Sequence, residues 1–283
     1  TRIDSLYDIL TKEFKARPFV DNNQDKIVQI LSHMSNASNQ LVAKLEHVDQ
    51  SYELTHGELA EARQLKSQVS RMNADFDVDC QKIADGDGVY SQIENKWLTM
   101  LDSLKEIEKT EKRLSGDVDG LFDAEKIAND SIIHFKQEVS LVYRKVERRR
   151  LPGKPESFIQ MYTLVLNEVK HTDNELNQVR INMEKISSEL IQIQEDIERL
   201  KKEADEILNS ADLVELTMQY SNKYISNPEI KRARKEAYDL YQNKYEYKEA
   251  LDVIATALEK VEPGSYQRIE KEYYSEQEEA EEE

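Results

Sequence analysis

The chain has 283 residues, a formal net charge of −18, 34% charged and 39% apolar side chains, but only seven glycines and five prolines. This composition supplies few turn residues and many helix formers, so it predicts an all-α protein. The acidic charge argues against a nucleic-acid partner, because neutralising phosphates is the main source of affinity there. Cys80 is the single cysteine, which excludes an internal disulfide framework and suits a reducing compartment.

The beginning of the chain is already helical in pattern. It has no initiator methionine, and Leu6, Leu10 and Phe14 follow a helical spacing. We therefore expect a piece cut from a longer protein, in which residues 1–20 are the end of a preceding helix or repeat. Pro18 is expected to end this helix, because proline cannot continue the backbone hydrogen-bond ladder. The sequence contains no signal peptide and no apolar run long enough to span a bilayer.

Two long heptad patterns follow, over residues 27–76 and 90–146. The turn signal Asp85-Gly86-Asp87-Gly88 separates them. Both patterns predict helices far longer than the average helix of a globular protein. Gly116 and Gly120 lie inside the second pattern without disturbing its phase, so we interpret them as a hinge, with a hairpin as the alternative.

The strongest heptad covers residues 158–207, where Thr172 is the one polar residue on the seam. No proline or glycine interrupts it, and at 1.5 Å per residue it predicts a continuous helix of roughly 75 Å. Ile159 and Leu166 widen the apolar stripe beyond what one partner helix covers. This width favours a bundle of three or more helices over a two-stranded coiled coil.

Beyond Leu208 the pattern changes to short amphipathic segments rich in tyrosine, with breaks at Asn227-Pro228 and Glu262-Pro263-Gly264. The predicted fold is therefore an elongated array of antiparallel long-helix bundles that ends in a cluster of short helices. Its predicted segments are 1–20, the end of a preceding repeat; 21–150, a long-helix repeat; 151–210, a long helix shared with the next bundle; 211–275, a short-helix bundle; and 276–283, an acidic disordered tail.

The sequence carries no enzyme signature. Gly153-Lys154 lies in a proline turn and lacks the upstream glycine and the following hydroxyl residue of a phosphate-binding loop. The five histidines are scattered and form no paired metal-binding motif. Cys80 has no base close to it in the sequence. We therefore expect no catalytic residue, no metal site and no cofactor.

Two basic clusters stand out in this acidic chain. The first lies at the turn Leu151–Pro155, and its cations either stabilise a helix C-terminus or contact an acidic peptide or an anionic lipid surface. The second opens a late helix, where the helix dipole disfavours cations, so a partner is favoured there. The first cluster consists of Arg144, Lys145, Arg148, Arg149, Arg150 and Lys154, and the second of Lys231, Arg232, Arg234 and Lys235.

Four C-terminal motifs support a family resemblance. They are Asn-Pro-Glu-Ile at 227–230, Tyr-Glu-Tyr-Lys-Glu-Ala-Leu at 245–251, Ala-Leu-Glu at 257–259 and Val-Glu-Pro-Gly-Ser-Tyr at 261–266. They resemble the end of the EzrA family of septation ring formation regulators, and the heptads before them look like that family's spectrin-like repeats. The resemblance implies a cytoplasmic rod at the division septum, anchored by an N-terminal transmembrane helix absent here. It also implies binding to the tubulin-like GTPase FtsZ and other division proteins, and modulation of septal ring assembly.

The family's polar patch, Gln-Asn-Arg-Tyr-Arg-Ser-Ser, aligns with residues 221–227. Asn222, Tyr224 and Ser226 match it, while Lys223 keeps the charge without arginine's planar fork. The alternative is a structural role, in which Asn227 caps the next helix and Tyr224 packs. The partner-binding site that the resemblance implies consists of Ser221, Asn222, Lys223, Tyr224, Ile225, Ser226 and Asn227, to which the local charge adds Lys231, Arg232, Arg234 and Lys235.

Residues 228–263 also support a different interpretation. Tyr247, Glu249-Ala250-Leu251, Ala257-Leu258 and Pro263 resemble one tetratricopeptide-like helix pair. This resemblance implies a peptide-binding module on a coiled-coil spacer. A third interpretation is a purely structural scaffold without a dedicated binding site.

Overall fold

The computed structural model describes residues 2–282 and confirms an all-α fold. Among these residues, no helix is both long and apolar enough to cross a membrane. The chain divides into two compact units, one formed by residues up to 127 together with 177–184, the other by 128–176 together with residues from 185 onwards. The helices are α1 (Arg2–Val48), α2 (Glu58–Ala84), α3 (Tyr90–Arg148), α4 (Glu156–Leu176), α5 (Met183–Tyr220), α6 (Pro228–Asp239), α7 (Tyr247–Val261) and α8 (Ser265–Glu282), with a 3-10 turn at Ser221–Tyr224 and a π-helical turn at Leu240–Lys244.

In the first unit, α1, α2 and the first part of α3 form an up–down–up bundle. Contacts between α2 and α3 join early residues of one helix to late residues of the other, so these helices are antiparallel. Contacts between α1 and α3 keep a nearly constant sequence separation, so these two helices are parallel. The pairs that show this are Arg113–Glu61 (2.7 Å) and Lys96–Asp79 (2.9 Å), then Lys44–Asp119 (2.9 Å) and Ser91–Glu13.

The core of this bundle is built around Trp97, which is fully buried. Its ring packs on Phe76 with the centroids 4.8 Å apart. The indole N–H donates to Asp79 at 3.2 Å, and Lys96 donates to the other carboxylate oxygen at 2.9 Å. Asp79 is itself buried, and a buried carboxylate requires such partners. The hydrogen bonds from Trp97 and Lys96 to Asp79 therefore fix the position of α3 against α2.

The rest of α3 forms a second up–down–up bundle with α4 and α5 in the second unit. Its core contains heptad residues such as Phe158, Val165, Ile197 and Leu200, all fully buried. The contacts show α4 antiparallel to both neighbours and α3 parallel to α5. These contacts are Lys136–Asp173 (2.8 Å), Lys185–Glu175 (2.5 Å), Ser157–Glu203 (3.3 Å), Lys201–Glu138 (2.7 Å) and Lys145–Asp205 (2.6 Å).

The prediction that Pro18 ends the first helix is wrong, because α1 runs through it. Pro18 is exposed, while Ala16 and Val20 on either side of it are buried. Burial of these neighbours offsets the one backbone hydrogen bond that proline removes. The break that the sequence missed lies later, between α1 and α2, where Gly57 has a φ of 74°.

The predicted continuous helix over 158–207 is also wrong, because the chain reverses between α4 and α5. Val179, placed on the seam by the heptad, is 91% exposed. This reversal meets the one between α1 and α2: the amide of Glu53 donates to the carbonyl of Ile181 at 2.7 Å, and the amide of Ile181 donates to Ser51 at 2.9 Å. Heptad residues of both α4 and α5 are buried. The apolar spacing therefore continues across the reversal and does not predict it.

Two further expectations differ from the structure. α3 continues through Gly116 and Gly120, so the alternative of a hairpin there is wrong.

α8 runs to Glu282, whereas residues 276–283 were predicted to be a disordered tail. Glutamate, glutamine and alanine are good helix formers, so a helix started on packed residues continues into the tail. Glu283 lies outside the described residues.

Candidate functional site

The candidate site is the turn between α5 and α6. Pro228 requires an extended residue before it, and Asn227 has that conformation, with φ −75° and ψ 125°. The Asn227 side chain accepts a hydrogen bond from the amide of Glu229 at 2.9 Å and so caps α6. Between the end of α5 and this cap, residues 221–224 form one 3-10 turn. The structural role predicted for Asn227 as a cap is therefore present.

Ser221 and Arg234 point into the protein and fasten the turn to α6. Ser221 is fully buried, and its hydroxyl donates to the carbonyl of Met218 at 2.7 Å. Arg234 donates to the Ser221 hydroxyl at 2.6 Å and also to the Met218 carbonyl. These contacts satisfy carbonyls at the end of α5. Arg234 and Ser221, both predicted to bind a partner, thus hold the turn in place.

Tyr224 belongs to a network centred on Glu262. Its hydroxyl donates to Glu262 at 2.7 Å, Tyr220 donates to both carboxylate oxygens at 3.1 Å, and Arg268 donates at 2.6 Å. The hydrogen bond from Tyr224 is the main cause that lowers the pKa of Glu262 below its ordinary value; desolvation opposes it, and the hydrogen bonds from Arg268 and Tyr220 lower the pKa further. The same bond raises the pKa of Tyr224. The network joins the turn to the start of α8.

Replacing Tyr224 with phenylalanine is expected to lower the melting temperature at pH 7. The folded pKa of Glu262 is depressed, so its contribution to stability is present above the ordinary carboxyl pKa of about 4.3 and is lost as the pH falls through the folded value. The difference from the unmodified chain should therefore shrink at pH 3. Melting curves at both pH values test this, with the exposed Tyr238→Phe as a control. An equal deficit at both pH values would contradict it.

The opposite side of the turn is exposed. Asn222, Lys223, Ile225 and Ser226 face solvent, and Ile225 is 55% exposed. The Lys223 ammonium lies 3.8 Å from the centroid of the Tyr220 ring, a cation–π contact that keeps the charge near the turn. The outer turn surface, as we call it, consists of these four residues and the exposed cations Lys231, Arg232 and Lys235 of α6.

A groove between α6 and α7 lies beside this surface. It encloses about 460 Å³ and has small or apolar residues at its base, among them Ala233, Val253 and Ala257. Arg232 and Lys260 stand on its rim together with three carboxylates. The tetratricopeptide-like motif was the sequence signal for this feature, because it predicted a pair of helices at this place.

Within the described part of the chain, sequence reasoning missed one cluster of metal-ligating residue types, His171, Glu175 and Glu189, whose ligand atoms lie within 4.8 Å of one another. Glu189 belongs to α5 and the other two to α4, so the cluster depends on the hairpin that the sequence did not reveal. The Lys185 ammonium lies 2.5 Å from Glu175 and 3.6 Å from Glu189. The protein thus supplies a cation to these carboxylates itself, and we assign no metal to them.

Comparisons with known proteins agree on one family. Residues 1–273 match the model of the septation ring formation regulator EzrA. The chain is 34% identical over 275 residues to EzrA of Lactiplantibacillus plantarum and 31% identical over 278 residues to EzrA of Enterococcus faecalis, with 97% of this chain and 48% of each relative covered. It therefore spans about half the length of the curated relatives it matches.

A solved structure shares the fold. It is the cytoplasmic domain of the bacterial cell division protein EzrA, and it matches with a TM-score of 0.68 and 21% identity over 95% of this chain and 52% of that one. The assignment to a family rests on the sequence matches, and the structural match is consistent with it. The chain therefore belongs to the EzrA family of septation ring formation regulators.

Proposed function

We propose that this chain is a non-enzymatic cytoplasmic part of a membrane-anchored cell-division regulator. In this proposal it lies at the division septum, binds FtsZ and modulates assembly of the septal ring. Family membership supports the cellular process. The observation that supports partner binding is the outer turn surface, where polar and apolar side chains are exposed on a turn that other residues hold in place.

The arrangement of the turn favours binding energetically. Ser221, Tyr224, Asn227 and Arg234 use their polar groups on contacts inside the protein. Little conformational entropy is then lost when a partner docks, because the backbone of the turn is already ordered. Ile225 supplies an apolar contact surrounded by polar groups, which is the arrangement typical of an interface hot spot.

Charge adds to this argument. Lys231, Arg232 and Lys235 place positive charge beside the turn in a chain whose net charge is −18. A partner that docks here carries acidic groups, since charge complementarity speeds association and excludes wrong partners. Binding is therefore expected to weaken as the salt concentration rises.

Combining Asn222→Ala with Ile225→Ala is expected to weaken binding to FtsZ polymers by about tenfold or more, because both side chains lie at the centre of the outer turn surface. The melting temperature should change little, since both residues are exposed. Co-sedimentation with FtsZ polymers and thermal melting measure the two effects. In cells, the same variant of the full-length protein should lose recruitment to mid-cell.

Two controls accompany this test. Gln178→Ala with Val179→Ala removes one polar and one apolar side chain from another exposed turn and should leave binding unchanged. Tyr224→Phe should lower the melting temperature yet retain binding, because its hydroxyl points to Glu262. Unchanged binding of the Asn222 and Ile225 double variant would show that this surface is not the determinant.

The groove between α6 and α7 supports a second candidate function, a peptide-binding module. Its base of small side chains leaves room for one strand or helix of a partner, and its rim carries both charge signs. This candidate is favoured if the double variant binds normally while Thr256→Trp, which places a large ring at an exposed position of the groove, prevents binding without lowering the melting temperature.

A further inference from the structure

The first basic cluster, around the end of α3, divides into two sets of side chains. One set fastens α3 to its surroundings. Lys145 pairs with Asp205 of α5 at 2.6 Å, Arg149 pairs with Asp212 of α5, and the Lys154 ammonium lies 4.8 Å from the centroid of the Tyr143 ring. These three cations therefore have structural roles.

The other set consists of Arg144, Arg148 and Arg150, and all three are exposed. No carboxylate whose side chain the structure describes forms an ion pair with them. Arg144 and Arg148 are four residues apart and thus share a face of α3. Leu141, one turn earlier, is 61% exposed. Three guanidinium groups and one apolar side chain are therefore available in a strongly acidic chain.

The backbone that carries these arginines is held firmly. Arg150 follows the helix end with a φ of 54°, a conformation that normally favours glycine. The Tyr247 hydroxyl donates to the Gly153 carbonyl at 2.6 Å and accepts from the Gly153 amide at 3.3 Å. A Cβ atom on Gly153 would lie 2.5 Å from the Tyr245 ring, so a larger residue there would force that ring to move. Hydrogen bonds from α7 thus hold the turn after α3, and Arg150 occupies a backbone conformation that is unfavourable for a side chain.

We propose that Leu141, Arg144, Arg148 and Arg150 form a docking surface for an acidic peptide segment that carries several carboxylates and one apolar side chain. The planar guanidinium fork matches a carboxylate with two parallel hydrogen bonds. The helix dipole does not account for Arg144, which lies a full turn before the helix end. This surface is separate in sequence from the outer turn surface and does not depend on its function.

The charge of the chain favours a peptide over a membrane as the occupant. Recognition of anionic lipid uses clusters of roughly four to eight basic residues, and this surface has three. A net charge of −18 also repels an anionic bilayer. A short peptide covers only the arginines and their immediate surroundings, whereas a bilayer surface extends over many more of the protein's carboxylates within a Debye length.

The test uses a fluorescein-labelled peptide of alternating aspartate and glutamate with one central leucine, titrated with the whole chain by fluorescence anisotropy. Saturable binding is expected, and Arg144→Gln, Arg148→Gln and Arg150→Gln together should weaken it by about tenfold or more. The control Lys66→Gln, Arg71→Gln and Lys82→Gln removes three exposed cations of α2, giving the same net charge, and should change binding less than about twofold.

Arg150→Gly separates binding from folding. Glycine suits the positive φ, so this variant should melt at a higher temperature while it binds the peptide more weakly. Equal loss of binding in both triple variants would overturn the proposal, because net charge alone would then explain it. Absence of saturable peptide binding would overturn it too, and so would binding to phosphatidylserine vesicles in preference to the peptide.

Discussion

Trp97→Ala is expected to lower the free energy of unfolding by about 3–5 kcal/mol. Trp97 is fully buried between helices of the first bundle and packs on Phe76. The substitution leaves a large cavity and also removes the indole donor from the buried carboxylate of Asp79. Loss of that donor adds to the cost, because a buried acceptor then has fewer partners.

Urea unfolding followed by circular dichroism measures this change. Leu98→Ala is the matched control, since Leu98 is the next residue on the same helix and is 44% exposed. The control should lose far less stability than Trp97→Ala. Similar losses in the two variants would contradict the assignment of Trp97 to the core.

Phe158→Ala is expected to destabilise the second bundle by about 3–5 kcal/mol. Phe158 is fully buried near the start of α4. Its ring lies beside those of Tyr143 of α3 and Tyr162 of its own helix, with centroid distances of 6.4 and 6.5 Å, and these two tyrosine rings are 4.6 Å apart. The substitution removes this aromatic packing where α3 and α4 meet, so it leaves a cavity between two helices.

Ile159→Ala provides the comparison for this second prediction. Ile159 neighbours Phe158 but is 46% exposed, although it is also a large apolar residue. Its truncation should therefore cost only a small part of the Phe158 effect. If thermal melts showed the two variants to be equally destabilised, the heptad seam of α4 would have been placed on the wrong face.

The seam residues were accessible from the sequence because helical burial follows a local spacing. Trp97, Phe158 and Ile197 lie on the predicted seams and are fully buried. Glu125 is an example of a residue whose contact the heptad spacing does not predict. It interrupts the heptad pattern over residues 90–146, and the structure places it as the acceptor for the Tyr52 hydroxyl, whose pKa burial raises to about 12. Its partner is more than seventy residues away in sequence, beyond any local rule.

The reversal at 177–182 could not be predicted from the sequence, for a different physical reason. This segment contains no glycine or proline, and its apolar spacing stays in phase with both arms. A long helix and a hairpin of two shorter ones bury the same set of positions, so periodicity does not separate them. Bonds such as Arg180 to Asp49 at 2.6 Å hold the reversal, and they join distant parts of the chain.

The sequence located the candidate site but did not show which of its residues contact the rest of the protein and which are exposed. The break before Pro228 and the cap at Asn227 follow local rules, so the turn itself was predictable. The inward orientation of Tyr224 and Arg234 was not, because their partners Glu262 and Ser221 are brought close only by the packing of α6 to α8. The structure thereby narrows the surface proposed for partner binding to the exposed residues of the turn.

Amide hydrogen exchange of this chain, with and without FtsZ polymers, is the most direct test of binding at the outer turn surface. The proposal predicts slower exchange across 221–235 when polymers are present, and no such slowing in the variant that combines Asn222→Ala with Ile225→Ala. Slower exchange confined to other helices, with 221–235 unchanged, would contradict it.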